Sequence, residues 1–436
     1  MTAVETFTAI IKANKSGSPR GIYSVCSAHE GVIRASMKQA LEDGSILLVE
    51  STSNQVDQFG GYTGMKPADF VEYLNRVAGD TGFPTDRLLL GGDHLGPNSW
   101  QHLNALEAME NSHELIRQYV SAGYQKIHLD ASMFLSDDEG DRTKPLADEI
   151  VARRAAALCS TAEKTWKALE NGSPAPVYII GTEVPIPGGA KEQEDGLEPT
   201  PASDAVQTVE ITRNAFLKEG LSEAWERVCG LVVQPGVEFG DDQVFDFNTE
   251  KAFGLSHSLD DIPNLVFEAH STDYQTLSAL SSMAEKHFCI QKVGPWLTFA
   301  WREALFALAS IEDELVETEK ASGLKQVMEE VMLENPKYWL KYYPGSDSEQ
   351  LIKRKYSYSD RSRYYWPDKR LAAAVNQLFS NIRNQVLPAT LLSQFMPNQY
   401  QAWRQGVLDL DPENLAEFHV REVLKVYTSA CRSKGN

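Results

Sequence analysis

The stretch RLLLGGDHLGPN, Arg87 to Asn98, decides the fold. Its leucines read as a strand buried on both faces. Two glycines then allow close backbone approach, and Asp93 and His94 appear where the strand should stop. Seven further stretches repeat the pattern. They are GIYSVCSAH (Gly21 to His29), ILLVESTSNQ (Ile46 to Gln55), KIHLDAS (Lys126 to Ser132), VYIIGTEVP (Val177 to Pro185), LVVQPGVEFG (Leu231 to Gly240), LVFEAHSTDYQ (Leu265 to Gln275) and FCIQKVGP (Phe288 to Pro295). Each begins apolar and breaks into Asp, Glu, His, Asn, Gln or Lys beside Gly or Pro. Between successive runs lies enough chain for a helix, such as HEGVIRASMKQALEDG after the first. An α/β fold of the (β/α)8 TIM barrel type makes this pattern, with its chemistry at the C-terminal strand ends. The barrel is predicted over residues 1–310, and residues 311–436 as a helical C-terminal extension packed on it.

The chain has 436 residues, enough for a large core, and its 42% hydrophobic and 23% charged content is ordinary for a globular protein. Acidic residues outnumber basic ones by 61 to 41, which argues against nucleic acid or an anionic membrane as the main partner. The N-terminus lacks the apolar core of a signal peptide, and no run approaches a membrane span, so a cytoplasmic protein is expected. The five cysteines are scattered, without CxxC spacing, and read as reduced and structural.

Candidate chemistry lies at the strand ends. Asp93 is the first choice for proton transfer, with Asp130 or Glu238 as a second carboxylate. The bland alternatives are a helix cap for Asp93 and a satisfied hydrogen-bonder for His94. His94, Glu183 and His270, from three strand ends, offer nitrogen and oxygen donors to a divalent metal, zinc first, with Mn²⁺, Co²⁺, Ni²⁺ or Mg²⁺ as alternatives. Glu268 shares a strand side with His270, and His128 with Asp130; His128 reads as a buried layer residue. Asp273 is either a site residue or a cap of the following helix. His29, Asn54, Gln55, Asn98, Gln234, Asp273 and Lys292 are candidates for substrate binding. For Lys292, reach toward an anionic substrate is preferred over Schiff-base chemistry. The glycine-rich loop through Gly60, Gly61 and Gly64 lacks a P-loop lysine. GGAKEQEDGLEPTPASD (Gly188 to Asp204) reads as a lid or a solvated loop. In KRKYSYSDRSRYYW, Tyr358, Arg361 and Arg363 suit a phosphate, against an aromatic docking surface as the alternative.

The motifs ESTSNQVDQFGGYTG, GGDHLGPN, KIHLDAS, VVQPGVEFG, FEAHSTDYQ and YSYSDR resemble the family of D-tagatose-1,6-bisphosphate aldolase non-catalytic subunits, also labelled tagatose-6-phosphate kinase. The resemblance spans about residues 20 to 430. It implies kinship with metal-dependent class II aldolases of barrel fold, in which an Asp-His pair serves acid/base and metal roles, as Asp93 and His94 would here. The expected histidine in VVQPGVEFG is absent; Gln234 and Glu238 stand there. Two roles follow. One is a 4-epimerase of a ketohexose phosphate, interconverting tagatose 6-phosphate and fructose 6-phosphate. The other is a subunit stabilising a separate class II aldolase catalytic subunit. The oligomeric state, a homo-oligomer included, stays open.

Overall fold

The computed structural model describes residues 1–181 and 197–432. Its ten strands are β1 (Ile22–Val25), β2 (Leu47–Thr52), β3 (Leu88–Leu95), β4 (Lys126–Leu129), β5 (Val177–Ile180), β6 (Val228–Val233), β7 (Glu238–Phe239), β8 (Val244–Phe245), β9 (Val266–Ala269) and β10 (Ile290–Val293). Eight of them close a parallel barrel in the order β1-β10-β9-β6-β5-β4-β3-β2, and β7 pairs antiparallel with β8 as a short ribbon beside the mouth. The barrel closes where Ile22 of β1 stands opposite Ile290 of β10. All eight quoted runs thus supply barrel strands.

The barrel interior is layered by the two-residue period of each strand. At the N-terminal end, Leu48, Leu89, Val266 and Ile290 form one apolar cluster with Val4, Phe7 and Ile11 of the leading helix Ala3–Lys15. That helix plugs this end; burying a side chain such as Phe7 contributes roughly 1.5–3 kcal/mol. Two residues further along the same strands stand Glu50, Gly91, Glu268 and Lys292. Two further again come Thr52, Asp93 and His270. The interior therefore changes from apolar to ionic toward the mouth.

Residue 310 lies inside a continuous helix, Pro295–Leu315. The last helix, Pro412–Cys431, packs against helices Glu30–Asp43, Leu277–Glu285 and Pro295–Leu315. Its Cys431 carbonyl accepts from Gly21 N–H at 3.0 Å, and its Tyr427 hydroxyl donates to the Thr272 carbonyl at 2.7 Å. The C-terminal residues thus complete the ring of helices beside β1. Among the described residues, no helix is long and apolar enough to cross a membrane.

Candidate active site

Asp93 and His94 are neighbours on β3, and an undistorted strand would send them to opposite sides. His94 instead has φ 50°, in the left-handed region, and the β3–β4 register shifts between Gly92 and Leu95. This bulge brings both side chains to the mouth, and a non-glycine residue held there costs on the order of 1–3 kcal/mol. Gly96 lets the chain leave the bulge, because a Cβ there would sit 1.7 Å from the Asp130 carbonyl oxygen.

Three imidazoles converge. The ring centroids of His94, His128 and His270 lie 5.0–5.6 Å apart. His94 Nδ1 is 2.8 Å from Asp130 Oδ2, and the other Asp130 oxygen accepts from the Ser132 hydroxyl and N–H. Asp130 therefore holds His94 in place. His128 Nδ1 lies 3.0 Å from Asp93 Oδ1, and His270 Nε2 lies 3.1 Å from Glu268 Oε1.

Below the rings runs a buried ion network. Lys292 Nζ lies 2.6 Å from Asp93, 2.9 Å from Glu50 and 3.4 Å from Glu268. Lys126 Nζ lies 2.8 Å from Glu50 and 2.7 Å from Glu268. Gly91 makes room for this layer; a Cβ there would stand 2.5 Å from Glu50 Cγ. Burial pushes the Asp93 carboxyl up, but His94, Lys292 and His128 outweigh it and hold the group well below the carboxylate range. Burial lowers Lys292, yet Asp93 and the other carboxylates hold it well above the ordinary lysine value. Burial, with Lys292 close by, brings His270 down to about 4, a neutral imidazole at pH 7.

Donor atoms of Asp93, His128, Glu268 and His270 all lie within 4.8 Å of one another, so this buried group could hold a metal ion. Two observations fit a dication. His128 Nε2 is buried with no hydrogen-bond partner among the described residues. In the network, the carboxylates of Glu50, Asp93 and Glu268 outnumber the ammoniums of Lys126 and Lys292 by three to two. Two imidazoles with carboxylate oxygens suit a first-row metal. The group keeps His270 from the expected ligand set but draws on Asp93, His128 and Glu268 instead of His94. Glu183, and most of the expected lid, lie outside the described residues.

The mouth opens into a cavity lined by Asn54, Gln55, Asp93, His94, His270, Asp273 and Lys292, with Tyr62, Arg363 and Tyr364. Asp273 does not cap the following helix, which Thr276 caps. Its Oδ1 accepts from Gly294 N–H at 3.0 Å and Trp296 N–H at 2.8 Å, so it caps Pro295–Leu315. Burial raises its carboxyl to about 6 against these hydrogen bonds.

Several expected residues stand elsewhere. Gln234 Oε1 accepts from Gly236 and Val237 N–H and closes a turn. Glu238 Oε1 accepts from Phe239 N–H. Asn98 accepts from Gln101. None of the three, nor Asp130, lines the mouth cavity. His29 lines an adjoining chamber.

The C-terminal segment folds back over the mouth, fastened at several points. Thr298 Oγ1 donates to Asp360 at 2.6 Å, and Tyr274 Oη donates to the Tyr358 carbonyl at 2.6 Å. Arg363 donates to the Ser359 and Asp360 carbonyls and to Tyr364 Oη. Tyr62 meets Tyr364 edge-on at 4.9 Å. Arg361 is buried under Tyr342, 3.4 Å from its ring centroid, and Tyr358 packs on Tyr274. Of the three expected phosphate residues, only Arg363 lines the cavity.

A closed (β/α)8 barrel with ionisable groups gathered at the C-terminal strand ends is the architecture of a large class of enzymes. The family model of D-tagatose-1,6-bisphosphate aldolase subunit GatZ/KbaZ-like proteins matches residues 7–432, and the chain belongs to this family. A solved structure titled as a probable tagatose 6 phosphate kinase from Sinorhizobium meliloti 1021 is similar at 44% identity and TM-score 0.87, covering 94% of this chain and 100% of that one. The YdjI aldolase from Escherichia coli K12 matches at 10% identity and TM-score 0.41, over 87% of this chain and 98% of its own. The fructose-bisphosphate aldolase from Campylobacter jejuni matches at 14% and 0.42, over 88% and 95%.

Proposed function

We propose that the protein is a metal-dependent 4-epimerase of a phosphorylated ketohexose, of the tagatose 6-phosphate/fructose 6-phosphate type, working by retro-aldol cleavage and re-addition. The observation that carries this is the Asp93-His128-Glu268-His270 group, of which Asp93 and His270 line the cavity. Burying so many ionisable groups is costly, and a purely structural subunit gains little from it.

Bound among these four residues, a divalent ion, zinc first, would supply Lewis-acid polarisation of the ketose carbonyl. The chain's own groups do the rest. Asp93, kept ionised by Lys292 and its histidines, accepts the C4 hydroxyl proton as the C3–C4 bond opens. Inversion requires the aldehyde to turn and its oxygen to regain a proton elsewhere. Asp273, the other carboxyl on the cavity wall with a value near 6, is suited to give it. Asp130 acts through His94 as a positioning residue. Lys292 and Asn54 hold hydroxyls, and Arg363 receives the phosphate. Tyr62 and Tyr364 narrow the mouth, which keeps both fragments enclosed.

The family's description as an aldolase subunit favours a second reading, in which the protein stabilises a separate class II aldolase catalytic subunit. The kinase title of the Sinorhizobium relative finds less support. The Asp57 carboxylate takes the N–H groups of Phe59 and Gly61 in the glycine-rich loop, leaving them unavailable to a nucleotide phosphate. The test is incubation of the metal-loaded protein alone with tagatose 6-phosphate, following epimerisation and triose release separately. Product without an aldolase supports the enzyme. Silence alone, with activation of an added aldolase, supports the subunit.

A further inference from the structure

The loop after β9 carries Asp273 between two residues in the left-handed region, Ser271 at φ 53° and Tyr274 at φ 65°. Non-glycine residues adopt this region at a cost, and only where the surroundings hold them. The side chain so placed is buried, and it also lines the mouth cavity. Its Oδ1 takes the N–H groups of Gly294 and Trp296, at 3.0 and 2.8 Å, where helix Pro295–Leu315 begins. The first N–H groups of a long helix suit an anion. In (β/α)8 barrels, the loops after the seventh and eighth strands and a helix N-terminus there frequently receive a substrate phosphate. In this chain those strands are β9 and β10. The place where a phosphate would be expected is therefore taken by a carboxylate of the chain itself.

The cavity offers few charges to a second anion. Among the described residues its lining includes one lysine and one arginine, Lys292 and Arg363. Lys292 is engaged by Glu50, Asp93 and Glu268. Arg363 stands near enough to Asp273 to draw its carboxyl down against the larger effect of burial. A sugar phosphate group carries a charge of roughly −1.5 to −2 at pH 7. One such group can be met by Arg363. A second would find the Gly294 and Trp296 N–H groups already bonded, and a like charge beside them. A ligand is rejected by just such a misplaced charge.

We infer that Asp273 is a specificity-determining residue: its carboxylate fills the phosphate position after β9 and β10, so the mouth takes a sugar with one phosphate and rejects one with two. This rests on the reading of the ligand as a phosphorylated sugar held by Arg363. The proton transfer assigned to Asp273 uses its other oxygen and is compatible with this role.

The test is calorimetric titration of the full-length protein with D-glucitol 6-phosphate and D-glucitol 1,6-bisphosphate. Neither has a carbonyl, so neither can undergo retro-aldol cleavage, and binding is read apart from turnover. The wild type should bind the monophosphate more tightly, by roughly tenfold or more. Asp273→Ala frees both N–H groups and should shift the ratio toward the bisphosphate by roughly tenfold to a hundredfold, the worth of a charge-assisted hydrogen bond. Inorganic phosphate should bind that variant more tightly than it binds the wild type. Asp273→Asn keeps an oxygen on the N–H groups and removes the charge alone, which should shift the ratio by roughly threefold to tenfold. Should the Ala variant fold poorly, the Asn variant carries the test. A wild type that shows the ratio without converting tagatose 6-phosphate would keep this inference and sink the epimerase reading. Equal binding of the two hexitol phosphates by the wild type, failure to bind the monophosphate, or a ratio unchanged in the variants overturns the inference, whether or not the protein turns over tagatose 6-phosphate.

Discussion

Lys292 on β10 reaches across the barrel to Asp93 on β3, Nζ to Oδ1, at 2.6 Å. The contact joins the ionic layer to the mouth and sets the charge of both groups. It explains why Lys292 is unsuited to form a Schiff base: its amine is held protonated by the carboxylates around it.

Removing that ammonium leaves three carboxylates facing one lysine. Lys292→Met should lower stability by about 3–5 kcal/mol, the usual result of breaking a buried pair on one side. Urea unfolding measures it. A loss under about 1 kcal/mol would mean that the network contributes little net stability.

Metal content should follow the four-donor group. His128→Ala and His270→Ala should each lower bound zinc by roughly tenfold or more in affinity, read by elemental analysis after dialysis against a chelator series. His94→Ala should have the smaller effect, because His94 stands outside the four-donor group. Equal loss from all three would restore His94 to the ligand set.

Asp273 gives a pH signature. Its carboxyl sits near 6 in the fold against about 3.9 in the unfolded chain. The raised value favours the protonated fold, so its contribution to stability is complete below pH ~4 and is lost as pH rises through ~6. Asp273→Asn cannot titrate. Between these limits the wild type should lose up to about 3 kcal/mol relative to the variant as pH rises. Parallel stability curves would show that Asp273 titrates normally.

Arg361 and Arg363 should separate. Arg363→Ala should weaken phosphorylated ketohexose binding by roughly tenfold to a hundredfold, with little effect on plain sugars. Arg363→Lys should not restore it, since the guanidinium fork is lost. Arg361→Ala removes stacking on Tyr342 and should lower thermal stability while leaving the ratio of the two ligands unchanged. Calorimetric titration distinguishes these outcomes.

The barrel was legible because each strand is an apolar run that ends in polar residues, a pattern fixed by local burial. The same rule found Asp93, His94, His270, Asp273 and Lys292 on the cavity. His128 read as a layer residue because Asp130 lies nearer the mouth in sequence; the bulge at His94 ties Asp130 to that ring and leaves His128 facing His270. The sign was in the alternation itself, for Lys126 and His128 share the inward side of β4, where leucines would otherwise stand. Tyr62 and Tyr364, which meet edge-on, carried no such mark. They meet only through tertiary packing of the C-terminal segment over the mouth, which no local spacing encodes. Gln234 and Glu238 were misleading for a related reason: the backbone after β6 turns on its own side chains.

The central claim is tested most directly by the fate of the C4 hydrogen. Metal-loaded protein, alone in D₂O with tagatose 6-phosphate, should form fructose 6-phosphate with the C4 hydrogen retained, because retro-aldol cleavage breaks C3–C4 and leaves C4–H intact. Asp93→Asn should abolish that product. Deuterium at C4, or no fructose 6-phosphate from the metal-loaded protein alone, would contradict the account.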